Sequence, residues 1–162
     1  MGKGLAALPK ECDAALVHDA ARPFVNARLV NDVLDALERG EQAVIPALPV
    51  ADTIKEVNAE NLVTATPVRA SLRAVQTPQG FALAPLLRAH RAAEAEGLDA
   101  TDDAALMELA GERVLTIPGL EENRKITTSA DLAFLEDCER AMHPPTNRTP
   151  RTGFGYDVHR YG

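Results

Sequence analysis

Ala14-Ala15-Leu16-Val17-His18-Asp19-Ala20-Ala21-Arg22-Pro23-Phe24 is the stretch on which the reading of this chain turns. The apolar run Ala14-Ala15-Leu16-Val17 reads as a short buried strand. It stops abruptly in a carboxylate, two small residues, an arginine and a proline. In open α/β sheets ligands sit beyond the carboxyl ends of strands. Asp19 there offers a metal or hydroxyl partner, and Arg22 a planar fork for phosphate. Ala20 and Ala21 leave room for close approach to the backbone. The same residues fit a plain strand-to-loop turn with a surface ion pair.

Working outward, Gly4 to Leu8 reads as the tail of a helix. Asn26 is an N-cap for a helix whose apolar stripe is Leu29, Val30, Val33, Leu34 and Leu37, with Gly40 at its C-terminal end. Ala43-Val44-Ile45 follows as a second strand. Strand, helix and strand at this spacing make a βαβ unit, which predicts a parallel sheet and a right-handed crossover. Pro46 to Val50 break the pattern. Thr53 to Val57 and Leu62 to Thr66 then flank the polar Asn58-Ala59-Glu60-Asn61, a hairpin signature. The hairpin has too few apolar residues to stand alone in water. It either rests on the body of this chain or on a second copy, or is an ordinary surface hairpin.

Further on, Pro78 biases Thr77 towards an extended backbone, which aims its hydroxyl outward from a stiff loop. Pro85 opens a helix that runs through His90 to Gly97. Asp102 and Asp103 start a shorter helix as caps, with Leu106, Met107 and Leu109 as apolar contacts and Gly111 at its end. Arg113 to Ile117 reads as a third strand. Thr128 and Asp131 resemble a capping box for a last helix carrying Leu132, Leu135 and Cys138 and ending near Met142. Lys125 precedes that helix, where a cation opposes the dipole unless an anion lies nearby. It is a functional candidate or a solvated loop lysine. His143 to Arg151 contains three prolines and reads as a linker. Beyond it, Asp157 and His159 share a face if extended and could supply two positions on zinc, too few for a stable site alone.

The totals exclude several classes. A length of 162 residues suits one domain, or one plus part of another. The net charge of −7, from 24 acidic and 17 basic residues, argues against a general nucleic-acid binder. Cys12 and Cys138 fit no metal spacing and suggest a reducing cytoplasm. No run is long and apolar enough to span a membrane.

The run Val17 to Phe24, Thr77-Pro78-Gln79, Thr101-Asp102-Asp103-Ala104 and Asn123-Arg124-Lys125-Ile126-Thr127 together resemble the methylerythritol phosphate cytidylyltransferase family, from about Gly4 to about Met142. Gly153-Phe154-Gly155-Tyr156-Asp157-Val158-His159-Arg160 resembles the opening of methylerythritol cyclodiphosphate synthase, a zinc enzyme of the same non-mevalonate isoprenoid pathway. The resemblance implies an α/β, Rossmann-like fold with a mostly parallel sheet, flanking helices and a protruding hairpin arm, the domain being incomplete. It divides the chain into 1–142 (cytidylyltransferase part), 143–151 (linker) and 152–162 (start of the synthase).

By this resemblance the reaction transfers the cytidylyl group of CTP to 2-C-methyl-D-erythritol 4-phosphate. A substrate oxygen attacks the α-phosphorus, pyrophosphate leaves, and cations with Mg²⁺ neutralise charge. Asp19 and Arg22 line the substrate site, and Thr77 contributes its hydroxyl. Arg69 and Lys125 hold the substrate phosphate. Thr53 and Arg69 belong to the arm, residues 53–69, which reaches into the partner's site in a homodimer. Asp157 and His159 become two of the zinc ligands. The family's glycine-rich triphosphate loop and its cytosine-reading residues have no counterpart in these 162 residues, and the third zinc ligand is expected beyond Gly162. The chain is thus expected to be a fragment of a bifunctional enzyme, inactive alone. A non-catalytic sugar-phosphate-binding or dimerising module of a related nucleotidyltransferase is the alternative.

Overall fold

The computed structural model describes residues 2–5, 7–9, 11–98 and 100–133. Residues up to Ile126 form one compact unit, and Thr127 onward belongs to a second. In the first unit the elements are α1 (Gly2–Leu5), β1 (Ala14–Val17), α2 (Ala27–Glu38), β2 (Ala43–Pro49), β3 (Glu56–Val57), β4 (Val63–Ala65), β5 (Arg73–Val75), β6 (Gln79–Ala82), α3 (Leu83–Glu96), α4 (Asp103–Leu109) and β7 (Val114–Pro118).

The sheet is mixed α/β of the Rossmann-like kind. β1, β2 and β7 run in one direction, but β1 and β2 are not neighbours. β6 lies between them, antiparallel to both, with Gly80 facing Leu16 on one side and Val44 on the other. β5 continues that line against the far end of β2, and β7 pairs parallel to the other edge of β2. The parallel β1-α2-β2 unit expected from the sequence is present, with β6 inserted between its two strands. β2 also runs on through Pro46 to Pro49. Pro46 lacks a donor, and it sits opposite the break between β5 and β6, where its carbonyl accepts from Gln76 N at 2.8 Å. A proline is tolerated inside a sheet at such an irregularity.

The alternation of side chains along the strands sorts the core into two layers. Val44 packs with Val33 and Ala36 of α2, joined by Leu37, Leu115 and Ile117. Ala15, Ala43, Ile45 and Phe81 point the other way, against Leu86 and Ala89 of α3 and Met107 of α4. Local signals behave as expected at most ends. Asn26 Oδ1 accepts from Leu29 N at 2.9 Å, and Asp102 Oδ1 accepts from Ala105 N at 2.8 Å. Gly40, Gly97 and Gly111 take positive φ at the three helix ends. Leu109 departs from expectation: it is exposed, and Ala104 takes its place in the core. Asp103 is not a cap but is buried, 2.8 Å from His90 Nε2.

The hairpin of β3 and β4 is closed by Asn58, whose side chain accepts from Glu60 N and Leu62 N, while Asn61 takes a positive φ. Its apolar residues find no cover within the described residues: Leu62 is 64% exposed and Val68, just beyond, 72%. In the second unit, Thr128 Oγ1 accepts from Asp131 N, and Asp131 Oδ2 accepts from Thr128 N at 2.9 Å, the expected reciprocal cap of helical residues 129–133. Leu135, Cys138, Met142, the proline-rich segment 143–151, and Asp157 and His159 lie outside the described residues.

Candidate functional site

The carboxyl ends of β1 and β7 and the amino end of β6 lie at the same end of the sheet, and the polar residues gather there. Asp19, two residues past β1, turns back on itself: its Oδ1 accepts from Ala21 N at 3.0 Å. Its Oδ2 lies 2.8 Å from Lys125 Nζ, and its own N–H donates to Thr77 Oγ1 at 3.0 Å. Three of the expected residues, from segments far apart in the chain, thus touch one another. The loop bearing Lys125 is pinned by Ile126 N, which donates to Ala21 O at 2.8 Å.

Electrostatics favour an ionised Asp19. The bond from Lys125, then that from Ala21 N, hold its carboxyl below the usual aspartate value, with Arg22 adding a smaller attraction. The pair is reachable from solvent, Lys125 being 49% and Asp19 28% exposed. One bond to Asp19 leaves the ammonium two further N–H donors for an incoming anion.

Arg22 is differently employed from the open phosphate fork of the sequence reading. Its NH1 donates to Asn123 O at 2.8 Å and its NH2 to Val75 O at 3.3 Å. Burial lowers its pKa, against the opposing pull of Asp19. The guanidinium clamps the strand end to the loop after β7. Thr53 and Arg69 stand apart: both are exposed, Arg69 donates to Ala51 O at 2.8 Å at the foot of the arm, and neither bonds to the Asp19 group.

Two residues given no role by sequence reasoning complete the arrangement. Asn123 is fully buried and donates from Nδ2 to Thr77 O at 2.7 Å. His18 reaches Thr77 Oγ1 through Nδ1 and Arg22 O through Nε2, both at 3.0 Å. A buried amide in a loop has no periodicity to betray it; the available signal was its place in the Asn123–Thr127 run that carries the resemblance. Gln76, also buried, forms a two-way bond with the backbone of Leu120 and holds the same loop.

Among the described residues no three His, Cys, Asp or Glu side chains gather as a metal site. Asp19 offers one carboxylate, already bound by an ammonium and an amide, which does not fit a protein-held Mg²⁺. No helix among the described residues is long and apolar enough to cross a membrane.

A family described as "IspD: 2-C-methyl-D-erythritol 4-phosphate cytidylyltransferase" matches residues 1–138. The "Bifunctional enzyme IspD/IspF" of Oleidesulfovibrio alaskensis is 49% identical across 100% of this chain, which spans 40% of that protein's length. The "2-C-methyl-D-erythritol 4-phosphate cytidylyltransferase" of Streptomyces avermitilis is 49% identical over 82% of this chain and 54% of its own. Among solved structures, the crystal structure of 2-C-methyl-D-erythritol 4-phosphate cytidylyltransferase from Thermus thermophilus superposes with a TM-score of 0.76 at 40% identity, covering 86% of this chain and 67% of that one.

Proposed function

We propose, because this chain belongs to the 2-C-methyl-D-erythritol 4-phosphate cytidylyltransferase family, that its described residues build the acceptor-substrate side of that enzyme's active site. The protein then transfers a cytidylyl group from CTP to 2-C-methyl-D-erythritol 4-phosphate with release of pyrophosphate. The observation that carries this is the contact of Lys125, Asp19 and Thr77 at the carboxyl ends of two parallel strands. Lys125 keeps donors for the substrate phosphate, Asp19 holds Lys125 in place and accepts from substrate hydroxyls, and Thr77 binds the polyol. Arg22 acts on the substrate through the loop it clamps. Orientation and charge neutralisation supply most of the acceleration in such a transfer. The Mg²⁺ expected from the resemblance belongs with the triphosphate in this reading.

The exposed arm supports a homodimer in which Thr53 and Arg69 serve the partner's site. Its uncovered Leu62, Val63 and Val68 are the surface such a partner would bury. We further propose that residues 143–151 link this domain to a zinc-dependent cyclodiphosphate synthase opening at 152–162, with Asp157 and His159 as ligands. Support comes from the coverage: the bifunctional relative aligns with all of this chain, the single-function one with 82%. The paucity of cysteine supports a cytoplasmic setting. The 162 residues taken alone contain no glycine-rich triphosphate loop, so by themselves they should not turn over CTP.

The test is pyrophosphate release by the whole natural protein with CTP, Mg²⁺ and 2-C-methyl-D-erythritol 4-phosphate. Release must depend on the polyol phosphate, and Lys125→Met must lower kcat/KM by about a hundredfold or more. Unchanged kcat/KM in that variant would overturn the assignment.

A further inference from the structure

We infer that His18 is a positioning residue that sets the polarity of the Thr77 hydroxyl, making it an obligate acceptor that selects a substrate hydroxyl rather than a phosphate oxygen. This rests on reading the site as one for a phosphorylated polyol. The argument is a count of donors. His18 Nε2 lies 3.0 Å from Arg22 O, a carbonyl, which can only accept. The Nε2 atom therefore carries the proton. In the neutral ring Nδ1 is then a bare lone pair, and its partner at 3.0 Å, Thr77 Oγ1, must donate to it. That hydroxyl proton is thereby used.

One of the two Thr77 lone pairs is used as well, by Asp19 N at 3.0 Å. What is left for a ligand is a single lone pair. A phosphate oxygen, itself an acceptor, would be repelled there, whereas a polyol hydroxyl can donate. The neighbouring Lys125 ammonium shows the opposite character, donors only. The two ends of a phosphorylated polyol are thus told apart by hydrogen-bond polarity, and the molecule is held in one direction. The ring meets the backbone carbonyl of Arg22, and through Thr77 it joins the network of the Asp19–Lys125 pair. A ring protonated on both nitrogens would donate to Thr77, free its hydroxyl proton and erase the distinction.

Two measurements on the whole natural protein test this. Long-range nitrogen–proton spectra of histidine-labelled protein, with the His18 signals assigned by their loss in His18→Gln, should show Nε2 protonated and Nδ1 bare. A ring protonated at Nδ1, or at both nitrogens, overturns the inference. Secondly, analogues of 2-C-methyl-D-erythritol 4-phosphate with each hydroxyl in turn replaced by fluorine, which accepts but cannot donate, should include one that loses about tenfold or more in kcat/KM. Thr77→Ser should keep that loss, Thr77→Val should abolish it, and His18→Phe should shrink it. A loss of the same size in Thr77→Val and the natural protein would refute the acceptor role. Should the parent compound itself support no turnover, the functional reading fails, while the imidazole spectra still decide the tautomer.

Discussion

Gly80 sits in the middle of β6, and α2 lies directly on it. A Cβ built at this position would overlap Val33 Cγ1 and meet Leu37 Cδ1 at 3.0 Å and Leu16 Cδ2 at 3.2 Å. The two leucine methyls end flexible side chains and can yield. Val33 cannot easily do so: it is fully buried, and a valine in a helix is confined almost to one χ1 rotamer. Gly80→Ala must therefore lift α2 or force Val33 off its rotamer. Overpacking of this kind costs about 1–3 kcal/mol. Against it, alanine in a strand recovers roughly 0.5–1 kcal/mol of backbone entropy relative to glycine. The net expectation is a loss of about 1.2 kcal/mol, or a drop of roughly 0.6 M in the urea midpoint for a slope near 2 kcal/mol/M. The chain has no tryptophan, so far-ultraviolet circular dichroism is the suitable probe. In a Val33→Ala background the clash is gone, and adding Gly80→Ala should then cost nothing further, a coupling of about 1–2 kcal/mol. A midpoint shift below about 0.25 M, or a full penalty persisting beside Val33→Ala, would refute the packing argument.

Other expectations concern the site. Lys125→Met should raise the Asp19 pKa, since Lys125 is its main cause of depression. A depressed carboxyl stabilises the fold above its unfolded value, about 3.9, and that contribution is lost as pH falls through the lower folded value. Its removal should cost at most about 1 kcal/mol of stability near neutral pH, because the pair is partly exposed, and should move acid unfolding to higher pH; an unaltered Asp19 titration by carboxyl-carbon NMR would contradict this. Asn123→Ala leaves Thr77 O without its buried donor and should cost about 2–3 kcal/mol while raising KM for the polyol phosphate; a change under about 0.5 kcal/mol in thermal unfolding would deny Asn123 its structural part. If Arg69 serves the partner's site, mixing inactive Lys125→Met and Arg69→Met dimers and allowing them to re-pair should restore roughly a quarter of natural activity, since each hybrid regains one intact site. No recovery would place Arg69 in its own protomer's site or outside catalysis.

Much of this could be read from residue order alone. The apolar run ending at Val17, the stripe on α2, the caps at Asn26, Asp102 and Thr128 and the glycines at helix ends are local patterns, and local backbone preference decides them. So does the presence of chemistry-bearing side chains just past a strand. The amino-acid order could not show that β6 inserts antiparallel between β1 and β2, that Gly80 must be bare because Val33 lies over it, or that Arg22 closes on the carbonyls of Val75 and Asn123. Strand pairing is made by backbone groups common to every residue, and no side-chain period reports which edge will be its neighbour. The polarity of Thr77 belongs to the same class. It follows from one donor, Asp19 N, and two acceptors, His18 Nδ1 and Arg22 O, brought together by folding, and it has no existence in the extended chain.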